Sequence, residues 1–183
     1  MDRREILKVM ALTFGGSVAL PESAFAKLAE PLDPSKLTFF TKAQRELVAV
    51  LAETIIPKTD TPGAIDAGVP ASLELIAQDC LPEADQKVIL EGLATVETRA
   101  ADQFKKPFAQ LATAERITVL TAMENEAKES GDTKAFIRQF KDLTKFCFVN
   151  SEIGATQAFE FNLIPGRWDA AMDLKPGQKA YSI

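Results

Sequence analysis

From Thr41 onward the apolar residues of this chain recur at intervals of three and four, the spacing that lines one face of an α-helix. Leu47, Val48, Leu51 and Ile55 form the first stripe, opened by the capping-box pair Thr41 and Gln44 and closed by Pro57. The next eleven positions concentrate Thr59, Asp60, Thr61, Pro62, Gly63, Asp66 and Gly68, and read as a loop. Pro70 suits the first turn of a second helix bearing Leu73, Ile76 and Ala77, which stops near Leu81-Pro82. Glu83 and Asp85 then favour the positive end of a third helix, carried through Val88, Ile89, Leu93 and Val96 to Phe104, with Gly92 inside it. Thr113 is the expected N-cap of a fourth helix (Ile117, Leu120, Thr121, Met123) that closes at Gly131. Asp132 or Thr133 starts a fifth, with Phe136, Ile137, Phe140, Leu143 and Phe146 on its stripe, and a short sixth spans Glu152 to Phe161. No stretch alternates apolar and polar residues over a strand's length. The pattern therefore predicts an all-α fold, one compact domain of about five to six helices.

The segment from Asn162 holds Pro165, Gly166, Pro176 and Gly177, but also the chain's one tryptophan, Trp168, and one tyrosine, Tyr181. Aromatic side chains gain nothing in a tail that packs on nothing, so an ordered C-terminal tail is expected. Arg167, Trp168 and Tyr181 are the candidate partner-interface residues there, being of types enriched at binding hot spots; a tail that only closes its own domain is the competing reading.

The N-terminus follows a different rule. Arg3 and Arg4 precede a short apolar run, Val9 to Leu20, then Pro21 and the small-residue site Ala24-Phe25-Ala26. This is the layout of a twin-arginine export signal cut after Ala26, with Arg3, Arg4, Ala24 and Ala26 as its signal residues. The division expected is a signal peptide over 1–26 and a helical domain over 27–183. The apolar run is too short for a stable bilayer span, so the cut chain is expected free in the periplasm.

Composition narrows the chemistry. A formal net charge of −5 argues against nucleic acid or anionic lipid as the main partner. The absence of histidine removes histidine-dependent nucleophilic catalysis, the usual zinc sites and histidine-ligated haem. No Gly-rich phosphate loop occurs, so no flavin or nicotinamide site is expected in this chain. Export in the folded state combined with no cofactor motif suggests travel with a partner that carries one. Carboxylate pairs such as Asp60 with Asp66 or Glu124 with Glu126, and Lys58 or Lys145, are the remaining catalytic material, without a specific signal. The phenylalanines from Phe136 to Phe161 read as core before groove. Cys80 and Cys147 are not a CxxC pair; free thiols, a mutual bridge and a bridge to a partner all stay open.

Several segments then fall into one order: the arginine pair; Phe39-Phe40-Thr41 leading into Leu51-Ala52-Glu53-Thr54-Ile55-Ile56-Pro57; Thr59-Asp60-Thr61-Pro62-Gly63-Ala64 with Gly68-Val69; and Ser151-Glu152-Ile153-Gly154 followed by Pro165-Gly166. In these the chain resembles the gluconate 2-dehydrogenase subunit 3 family, the small or hitchhiker subunits of periplasmic flavin-dependent sugar and sugar-acid dehydrogenases. The resemblance implies a non-catalytic subunit that binds and exports a large FAD-containing subunit of the glucose-methanol-choline type. It also implies electron exit through a multihaem cytochrome c carrying haem c. No catalytic residue is implied in this chain. Some such subunits are tied to the large one through a cysteine, and position before Ser151-Glu152 points to Cys147. Two other readings compete: a free-standing periplasmic helical binding protein, and a small enzyme working through carboxylates alone.

Overall fold

Helix α1 (Lys42–Ile55) begins where the sequence places it, because Thr41 and Gln44 cap each other. The Gln44 amide N–H donates to the Thr41 hydroxyl and the Thr41 N–H donates to the Gln44 side chain at 2.9 Å. The structure, a computed structural model, describes residues 36–161, 166, 173 and 176–182, all within the unit Pro34–Ile183. After α1 come α2 (Val69–Asp79), α3 (Glu83–Phe104), a 3₁₀ turn (Phe108–Gln110), α4 (Thr113–Glu129) and α5 (Phe136–Val149). A π-helical turn (Gly154–Ala158) leads to a two-residue strand β1 (Glu160–Phe161), paired in parallel with β2 (Tyr181–Ser182). The domain is all-α apart from this small bridge.

Helix α5 packs against each of the other four helices and is the centre of the bundle. Its Phe136 and Phe140 are buried, with Val48 and Leu51 of α1, Leu73 of α2, Leu93 and Val96 of α3 and Val119 of α4 in the same core. Burial of each such side chain stabilises by about 1.5–3 kcal/mol before entropy is counted. Gly92 belongs to this contact. A Cβ at Gly92 would run into the ring of Phe136, so the glycine that weakens α3 as a helix allows α5 to approach it.

Three starts or stops differ from the sequence expectation. Helix α4 is capped from one residue earlier: Ala112 is the cap, and the Glu115 carboxylate accepts its N–H at 2.8 Å. Helix α5 begins at Phe136 rather than Asp132 or Thr133. Asp132 instead accepts the Lys134 N–H at 2.8 Å, a local turn that delays the helix. The expected sixth helix is one π turn, ending before Glu160. Phe146, placed on the buried stripe by its sequence, is 57% exposed. At about 100° per residue it lies roughly 120° around α5 from Phe140, and Cys147 takes the inward position.

Candidate partner-docking site

The loop after α1 is held by one carboxylate. Glu53, in the last turn of α1, accepts the Lys58 N–H at 3.0 Å and the Ile65 N–H at 2.9 Å, gathering both ends of the loop onto one side chain. Gly63 lies so close to that carboxylate that a Cβ would overlap it. The Ala64 N–H reaches the Ile56 carbonyl at 2.9 Å, and the small side chain of Ala64 is fully buried beneath. Lys58 closes the outside on Asp66 at 2.8 Å. Gly68, at φ 69, turns the chain into α2 through a left-handed conformation that glycine adopts without a Cβ penalty.

The second sequence block folds opposite it. The Ser151 hydroxyl donates to the Phe148 carbonyl at 2.7 Å and accepts the Gly154 N–H at 2.9 Å. Gly154 sits against the Phe148 carbonyl, where a Cβ would collide with main chain, and this close packing lets the π turn follow. Ile153 and Gln157 of this turn join Lys58, Thr59, Asp60, Thr61 and Pro62 in lining a cleft of about 480 Å³. Blocks separated by ninety residues of sequence thus form the two walls of one surface.

Large apolar side chains are exposed on the elements that adjoin these blocks. Ile65 in the loop, Phe146 and Val149 on the last turns of α5, Phe161 on β1 and Tyr181 on β2 are exposed; elsewhere among the described residues only Ile117 is a large exposed hydrophobic. The tail returns here, since the Glu160 N–H donates to the Ala180 carbonyl at 2.9 Å and Lys179 donates to the Gln157 carbonyl. Tyr181 is therefore brought beside Glu160, just past the π turn. Arg167 and Trp168 lie outside the described residues, as do Arg3, Arg4, Ala24 and Ala26.

Of the remaining chemical candidates, Asp66, Glu124, Glu126, Lys58 and Lys145 are paired with opposite charge, whereas Asp60 accepts from the Thr59 hydroxyl. Glu124 is held below its ordinary pKa by hydrogen bonds from Lys141 and Lys128, and Glu126 by the guanidinium of Arg99, with contacts of 2.7 and 2.6 Å. A general acid needs the opposite shift. Lys58 is raised by its bond to Asp66, away from the free amine that Schiff-base chemistry requires. Both cysteines are free thiols: Cys80 is exposed at the end of α2, while Cys147 is buried in α5, where desolvation pushes its pKa up to about 11. Cys80 is the thiol a partner reaches without rearrangement. A bridge at Cys147 requires the last turns of α5 to open first.

The family model described as gluconate 2-dehydrogenase subunit 3 matches residues 42–166, from the first residue of α1 past β1. The chain belongs to the gluconate 2-dehydrogenase subunit 3 family. No curated protein and no solved structure matches it. As its name says, the subunit 3 family supplies one component of a dehydrogenase complex. The match contains all five α-helices, the Glu53-braced loop and the π turn, but neither Tyr181 nor the residues just before α1.

Proposed function

We propose that this chain is a non-catalytic accessory subunit that binds, stabilises and exports an FAD-dependent sugar or sugar-acid dehydrogenase of the glucose-methanol-choline type. The observation that carries this reading is the family match over the whole helical bundle. The exposed apolar side chains Ile65, Phe146, Val149, Phe161 and Tyr181 support it, because a permanent subunit needs surface to bury against its neighbour. The flavin belongs to the large subunit and haem c to a multihaem cytochrome c that accepts its electrons. The arginine pair Arg3-Arg4 directs the assembled pair to the periplasm by the twin-arginine route, the large subunit riding on this chain's signal.

The test is affinity capture of the tagged chain from the periplasm, with an absorbance spectrum of the product. A second, larger polypeptide with flavin absorbance is expected. A colourless single polypeptide would overturn the reading and favour a free-standing binding protein. Aspartate at Phe146 and Phe161 together should release the partner, whereas Ile117→Asp, on another face, should not. Lysine at Arg3 and Arg4 should hold both proteins in the cytoplasm.

A further inference from the structure

The residues just before α1 are tied down by a second, more deeply buried carboxylate. Glu74, in the middle of α2, is 2% exposed. Its Oε1 accepts the Phe40 N–H at 2.9 Å, and both its oxygens accept from Arg45 of α1, at 2.7 Å from Nε and 2.9 Å from the terminal nitrogen. The same guanidinium donates to the Leu37 carbonyl. One turn along α2, the Gln78 side-chain oxygen accepts the Thr38 N–H at 3.0 Å. Two side chains of α2, four residues apart, thus take alternate amides of the segment that leads into α1.

The apolar side of the segment is less tightly made. Phe40 joins the main core cluster, whereas Leu37 is buried but stands outside it. A partly open pocket of about 160 Å³ lies between Leu37, Phe40, Val48, Pro70 and Ala71, with Arg45 and Glu74 in its wall. The main-chain groups of the segment are held through polar ties. These ties all converge on Glu74, Arg45 and Gln78, and the segment itself lies before the first residue of the family match. The five helices contact one another without it.

We propose that Leu37–Phe40 is a releasable strap, fastened to α1 and α2 and locked by Glu74, which can let go while the helical bundle stays folded. Arg45 is the bolt, because it alone touches both the lock and the strap. Since Glu74 and Arg45 sit on different helices, the lock exists only after α1 and α2 have met.

Hydrogen exchange on the full-length chain at neutral pH, read residue by residue, tests it alongside limited chymotrypsin digestion. In the unmodified chain the Thr38 and Phe40 amides should be protected, by less than the core of α5. Glu74→Gln keeps the shape but removes the charge, so exchange at Thr38 and Phe40 should rise by about tenfold or more while α3 and α5 are unchanged. A new cut at Phe39 or Phe40 should accompany it. Gln78→Ala, whose side chain reaches only the start of the strap, should raise exchange at Thr38 in a chain of unaltered melting temperature. Unchanged protection at residues 38–40 in Glu74→Gln would overturn the proposal. So would equal loss of protection throughout the bundle, or a Glu74→Gln chain that does not fold together with an unresponsive Gln78→Ala. Capture of a flavoprotein plays no part in these readouts, so either idea can fail alone.

Discussion

Glu53 and Glu74 do the same task at opposite ends of α1 and under different conditions. Each gathers main-chain amides from a segment that lacks regular structure, Glu53 for the loop over 58–65 and Glu74 for the strap. Glu53 is half-buried and takes only amide donors. Glu74 is fully enclosed and has a full positive charge on both oxygens. The difference follows from solvation: a carboxylate that keeps some water can be satisfied by dipoles, whereas one removed from water needs a counter-charge to remain ionised. The loop is accordingly a self-contained unit of α1, while the strap requires two helices.

The comparison is broken most severely by Glu74→Ala. It strands the Phe40 amide and releases Arg45, and should cost about 2–4 kcal/mol, read as a fall in denaturation midpoint at unchanged slope. Glu53→Ala should cost less, about 1–2 kcal/mol, because water can reach the freed Lys58 and Ile65 amides. Its effect should appear as faster exchange confined to the loop and, if the loop forms the docking wall, as weaker partner capture. Gly92→Ala should destabilise by about 1 kcal/mol even though alanine is the better helix former, since the Phe136 ring must shift; a stabilised variant would show that α3 and α5 are loosely packed.

Acid sharpens the contrast with the smallest effect. Burial alone would raise the pKa of Glu74, but the hydrogen bonds from Arg45 and the Phe40 amide outweigh it, and the folded value lies below the ordinary 4.5. A group lowered on folding stabilises fully above its unfolded pKa and loses that contribution as pH falls through the folded one. Stability should therefore drop below about pH 4.5, with Glu124 and Glu126, also lowered, adding to the slope. Glu74→Gln should flatten that slope.

What the sequence shows of this molecule is what its local rules control. The Thr41–Gln44 box, Pro70 in the first turn of α2 and the acidic start of α3 each depend on residues within four positions, and each forms as expected. The start of α5 is misplaced because Asp132 can cap a helix or close a turn, and only the turn geometry decides. Arg45 and Glu74 lie on separate helices, so no periodicity joins them. The two walls of the cleft are visible as familiar blocks, yet their meeting depends on α5 carrying the second block back to the end of α1. Phe161 reads as core yet is exposed, and Ile65 and Val149 are given no role, because sequence patterning treats an apolar residue as core until a neighbour fails to cover it.

Residues Leu37 to Thr41 also mark where two definitions of this domain part. Likeness to the family starts at Lys42, but a polypeptide trimmed to that residue would open the floor beneath Leu37 and Phe40 to water. It would also discard the cap of its first helix and leave a buried acid without its amide donor. A shortened version for crystallisation or fusion should keep the chain from Pro34, with any tag placed ahead of it.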